Sequence, residues 1–167
     1  MRDEPTHRPG SRKDCTASPR RLPVVPRPVR AVLLPSPIRR SVESHVAAAH
    51  PHEAGGFLRC VRRGDRLRAT GHVPVRNDSP IPKRRFETTV DDRAPPPPRV
   101  FYHSHTSPAS ISGLTPVDKR SIPEPFALVV FAPQEAALSY RGFKRGLLTW
   151  RELRVEAGSS RSRLPRL

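Results

Sequence analysis

Residues 100–105 read Val-Phe-Tyr-His-Ser-His, and residues 115–118 read Thr-Pro-Val-Asp. The first segment is a short apolar run that ends in two histidines. Side chains two apart on an extended strand point to the same face. His103 and His105 therefore share a face, and Ser104 turns to the other. The second segment opens a helix, with Thr115 as N-cap and Pro116 at the first helical position, where a missing N–H costs nothing. Asp118 falls in the first turn of that helix.

Working outward, Val29–Leu34 has strand length and is stopped by Pro35. A helix follows, with Ser36 expected as its cap. Ile38, Val42, Val46 and Ala49 draw one apolar stripe along it, and Pro51 ends it. Gly56–Val61 and Arg66–Val75 read as strands joined by a turn at Arg63-Gly64-Asp65. Arg84–Val90 reads as a further strand, and Pro95–Pro98 as an extended connector. Phe126–Ala132 has a buried-strand pattern, and Ala136–Tyr140 and Leu147–Leu153 complete a sheet of six or seven strands. This order predicts an α+β, mixed α/β layered domain, with a central sheet flanked by helices.

The chain has 167 residues, enough for one core. Its 22 prolines exceed what a compact domain of this length carries, and they concentrate in residues 1–28 and at 95–98. The folded body is placed at 28–157, with disordered basic tails at 1–27 and 158–167. A net charge of +16 is spread along the whole chain. Without a basic helix or basic–aromatic alternation, it does not point to specific nucleic-acid binding. Cys15 and Cys60 form no disulfide framework. No apolar run approaches a membrane span. These features predict a soluble, cytoplasmic protein with no membrane partner.

Two imidazoles on one strand face suit zinc, which takes nitrogen and carboxylate oxygen in a tetrahedral shell. A third ligand must come from elsewhere, and Asp118 is placed to turn back toward the pair. Two His, one Asp and a water would make a site with an open position. Hydrolysis at such a site also needs a carboxylate that takes a proton from the water and passes it to the leaving amine. Glu53 is the candidate, in His50-Pro51-His52-Glu53-Ala54-Gly55-Gly56, where two glycines permit close backbone approach. The other histidines read as packed or exposed residues.

Glu53, His103-Ser104-His105 and Thr115-x-x-Asp118 together resemble the signature of the JAMM/MPN+ (JAB domain) zinc metalloproteases. Pro51–Leu58 and Tyr102–Thr106 are similar to the corresponding stretches of bacterial members. The resemblance spans about Val29 to Leu153. It implies an MPN/JAB-like, cytidine-deaminase-like fold holding one Zn2+ on His103, His105 and Asp118, with Glu53 as general base. Thr115 stands where the family usually has the serine whose hydroxyl holds the oxyanion. The implied reaction is hydrolysis of a peptide or isopeptide bond at the C-terminus of a ubiquitin-like or sulfur-carrier protein. An inactive scaffold that binds such a protein is the alternative.

Overall fold

Continuous burial marks the central strands. In Phe126–Phe131 the four central residues are all buried, and in Arg99–His105 every residue after the first is. Strands buried on both faces lie between neighbours on both sides. The computed structural model describes residues 27–134 and 137–158. The elements are β1 (Ala31–Pro35), α1 (Ser36–Ala49), β2 (Gly55–Arg63), β3 (Arg66–Val75), β4 (Arg99–His105), α2 (Pro116–Ser121), β5 (Phe126–Phe131), β6 (Ser139–Arg145) and β7 (Trp150–Gly158). Residues 1–26 and 159–167 of the expected tails, with His7 and Cys15, and the first residue of the strand expected at 136–140 lie outside the described residues. Gly158, expected in the tail, ends β7.

The strands close into a barrel in the order β1-β3-β2-β4-β5-β6-β7. Closure comes from β1, which pairs in parallel with β3 on one side and with β7 on the other, from Ala31↔Arg154 to Pro35↔Gly158. This corrects the expected α+β layered, MPN/JAB-like arrangement of a central sheet flanked by helices. The sheet curls onto itself, which removes its edges. Only α1 and the short α2 accompany it among the described residues.

Local expectations fared unevenly. The stripe on α1 forms, with Val42 and Val46 buried and Ile38 and Ala49 packed against the same core. Ser36 is not the cap: β1 runs straight into α1, Pro35 holds the N-cap position, and no side chain caps the helix. No strand forms over 84–90. There the backbone serves a side chain instead, since Arg85 O accepts from Asn77 Nδ2 (2.9 Å) and Glu87 N donates to Asn77 Oδ1 (3.2 Å). The last two strands lie about three residues later than the apolar pattern suggests. Leu147 and Leu148 belong to the turn between them.

The two faces of β4 enter different cores. Val100 and Tyr102 join the core that receives α1, and Phe101 joins a second core with Phe57, Leu114, Ile122, Val129 and Phe143. Tyr102 is fully buried, and its hydroxyl lies 2.6 Å from both His45 Nδ1 and His72 Nε2. His72 Nδ1 is 2.8 Å from Ser41 Oγ. A phenol has one proton, so Tyr102 donates to one imidazole and accepts from the other.

Burial, with a contribution from His45, lowers the His72 pKa from 6.5 to about 4. Above pH 6.5 His72 is neutral in both folded and unfolded chains. As pH falls from about 6.5 to about 4 the unfolded chain binds the proton first, so stability is lost across that window. Between pH 7 and pH 5, wild type should lose about 1–2 kcal/mol more than His72→Gln, allowing for the ring's partial exposure. Urea titration at both pH values measures this, and equal losses in the two proteins would assign the effect to another group.

Candidate metal centre

His103 and His105 lie at the C-terminal end of β4, each about 3% exposed. Their Nε2 atoms are 3.0 Å apart. Asp118 arrives from α2, with Oδ1 3.4 Å from His103 Nε2 and Oδ2 3.4 Å from His105 Nε2. Tetrahedral bonds of roughly 2.0–2.1 Å place neighbouring ligand atoms roughly 3.3–3.4 Å apart. The carboxylate distances match that value, and the imidazole pair is slightly closer. The group could bind a metal ion.

Asp118 is held by a capping box. Thr115 Oγ1 accepts from Asp118 N (3.1 Å), while Asp118 Oδ2 accepts from Thr115 N and from Thr115 Oγ1, both at 2.7 Å. The bonds that start the helix therefore also aim the carboxylate at the histidines. The Thr115 hydroxyl has given its one proton to Asp118, and would have to release it before serving an oxyanion. The long loop from Thr106 to Leu114 folds back onto the site. Ile111 O is 2.7 Å from His105 Nδ1, which fixes that nitrogen as the donor and leaves Nε2 free to ligate. His103 Nδ1 is buried with no partner.

Burial works to raise the Asp118 pKa, but His103, His105 and Thr115 outweigh it and hold the carboxyl well below the carboxylate range. Burial works to lower His105, and Asp118, Ile111 O and Glu53 together raise it. This negative field favours a cation.

Glu53 is 5% exposed. Burial pushes its carboxyl up to about 7, with His105 opposing and Asp118 reinforcing the shift. Its position depends on a residue that sequence reading missed. Asn77 Nδ2 donates to Glu53 O (2.9 Å), and Glu53 N donates to Pro82 O (2.7 Å). Asn77 thus ties the 77–87 loop to the backbone of Glu53. An Asn early in a loop is a turn signal, but its partners lie too far along the chain to be read from spacing.

Gly55 and Gly56 allow the close approach expected of them. A Cβ on Gly56 would stand 2.3 Å from Val73 O, and one on Gly55 would stand 2.5 Å from the Phe86 ring. Ser104 faces away as expected, its Oγ accepting from Ala54 N (2.8 Å). His52 is exposed.

A cavity of about 310 Å3 reaches His103 and Asp118 between Phe86, Phe101, Ser121 and Ile122. A larger cleft of about 1000 Å3, between Pro51, Lys83, Thr106 and Phe131, carries none of the three ligand residues. The smaller cavity is the one beside the His-His-Asp cluster. Fold and site together define a small closed β-barrel with a half-enclosed His-His-Asp cluster and a buried carboxyl in its field.

This architecture is similar to that of a Desulfitobacterium hafniense protein solved in solution, with a TM-score of 0.59 over 77% of this chain and 92% of that one. At 17% identity the likeness concerns the fold alone. No protein-family model matches the chain, and no curated protein does.

Proposed function

We propose that the chain is a zinc-dependent hydrolase of peptide or isopeptide bonds, acting at the C-terminus of a ubiquitin-like or sulfur-carrier protein. The observation that carries this reading is the convergence of His103 Nε2, His105 Nε2 and the Asp118 carboxylate at separations suited to tetrahedral zinc. The resemblance of Glu53, His-x-His and Thr-x-x-Asp to the JAMM/MPN+ signature supports the substrate class. Bound zinc supplies Lewis acidity to a carbonyl and lowers the pKa of a water.

The protein's own groups do the rest. Asp118, aimed by Thr115, and His105, aimed by Ile111 O, orient the ligand set. Glu53, buried and with a pKa of about 7, takes the water's proton near neutral pH and returns it to the leaving amine. Burial also inactivates the Cys60 thiol, pushing it up to about 12, so a thiol nucleophile forms no part of the reading. A free, inert thiol suits the cytoplasm. A scaffold that binds the same partner without cleaving it is the second reading, favoured by the commitment of the Thr115 hydroxyl to Asp118.

A ubiquitin-like protein whose terminal Gly-Gly is joined by an amide bond to a fluorophore separates the two. Cleavage that stops with a chelator and returns with zinc supports the hydrolase. Zinc binding with no cleavage across a panel of such reporters supports the scaffold.

A further inference from the structure

The strands β6 and β7 are joined by a tight turn in which Gly146 N donates to Thr149 O (2.8 Å). Leu147 and Leu148 form its tip, and both are essentially fully exposed, at 104% and 99%. Every other large exposed hydrophobic residue among those described is at most 53% exposed. The hairpin is braced. The Arg145 guanidinium lies 4.9 Å from the centre of the Trp150 ring, and Trp150 Nε1 donates to Lys119 O (3.2 Å).

Strand directions put this tip at the end of the barrel opposite the metal ligands. β6 ends and β7 begins where β4 and β5 start, and β2 ends there too. By register Lys144, Arg145 and Arg151 flank the turn that carries the leucines, and Arg62, Arg63 and Arg66 lie on the β2–β3 hairpin at the same end. Of the acids on the strands and hairpins that meet there, Glu152 is paired with Arg141, Glu156 with Arg66 and Glu124 with Arg99, which leaves Asp65 on the β2–β3 turn. The combination is a projecting apolar wedge inside a cationic ring, with an aromatic residue at its foot.

We propose that the β6–β7 hairpin is a peripheral anchor for an anionic phospholipid membrane. Leu147 and Leu148 enter the boundary between headgroups and acyl chains, Lys144, Arg145 and Arg151 meet the lipid phosphates, and Trp150 sits at the interface. Charge decides against a second copy of the chain as the occupant, because it would set like-charged rings against each other in a molecule of net charge +16. The leucines favour lipid over nucleic acid, because a duplex buries such a wedge only by unstacking bases, at about a few kcal/mol per step, whereas a headgroup boundary receives it without that cost. Such a device is two residues long and needs no spanning segment. Among the described residues no helix is long and apolar enough to cross a membrane. The inference is independent of the hydrolase reading.

Trp150 is the chain's one tryptophan, so its emission reports on this hairpin alone. The full chain is mixed with vesicles of equimolar phosphatidylglycerol and phosphatidylcholine, or of phosphatidylcholine only, and scored by flotation and by emission. The expected result is flotation with the anionic vesicles and a blue shift of Trp150. Leu147→Ser/Leu148→Ser, at sites that pack against nothing, should keep the wild-type Tm and bind about 10–100-fold more weakly. Absence of wild-type flotation would overturn the proposal. So would equal flotation of the double variant, which would mean that the arginines bind any polyanion. A dimer dispersed by the double variant, with no lipid binding, would make a second copy the occupant and overturn it too.

Discussion

Asp118→Ala should purify with little or no zinc where the wild type carries about one per chain. The carboxylate is one of three candidate ligands that converge on one point, and it supplies the only negative charge among them. Structural zinc sites are worth roughly 10–16 kcal/mol. Losing about a third of that, roughly 3–5 kcal/mol, weakens binding by about 10²–10⁴-fold. The substitution also removes the acceptor of the α2 capping box, which costs about 1 kcal/mol of stability in its own right. Asp118→Asn separates the two effects, since its amide oxygen can still accept from Thr115 while the charge is gone. Elemental mass spectrometry on untagged protein gives the metal content, and thermal denaturation gives the cap. Full zinc occupancy in Asp118→Ala would remove Asp118 from the ligand set.

Glu53→Gln should retain zinc and lose turnover on the Gly-Gly reporter by about 10²–10⁴-fold, the contribution of a positioned general base. Gln has nearly the shape of Glu, so the backbone bonds to Asn77 and Pro82 remain. It cannot take up a proton. Because burial disfavours the Glu53 carboxylate, an uncharged amide there should leave stability unchanged or raised near neutral pH. Retained zinc with lost activity would match the assigned role. Wild-type turnover in this variant would place the base elsewhere.

These two variants test residues that were already visible in the chain. His103 and His105 share a face because a strand alternates with a period of two, and Asp118 sits one turn into α2 because Thr115 and Pro116 start that helix. The stripe on α1 is equally local. Such features follow from bond geometry over a few residues, so spacing alone reports them.

What spacing does not report is which distant segments meet. Ser36 had the composition of a cap, but the direct run from β1 into α1 gave the position to Pro35. Arg84–Val90 had the composition of a strand, but Asn77 claimed its backbone groups. The amino-acid sequence by itself therefore determined the spacing and orientation of the candidate ligands, the apolar face of α1, the start of α2 and the order of most strands. Only the tertiary structure decided that β1 pairs with β7 and closes a barrel, that Tyr102 links His45 to His72, that Asn77 holds Glu53, and that Leu147 and Leu148 stand clear of the body. The physical reason is that these outcomes depend on pairings between segments tens of residues apart. Such pairings are chosen by the free energy of the whole packed chain, and local backbone preference carries little of that information.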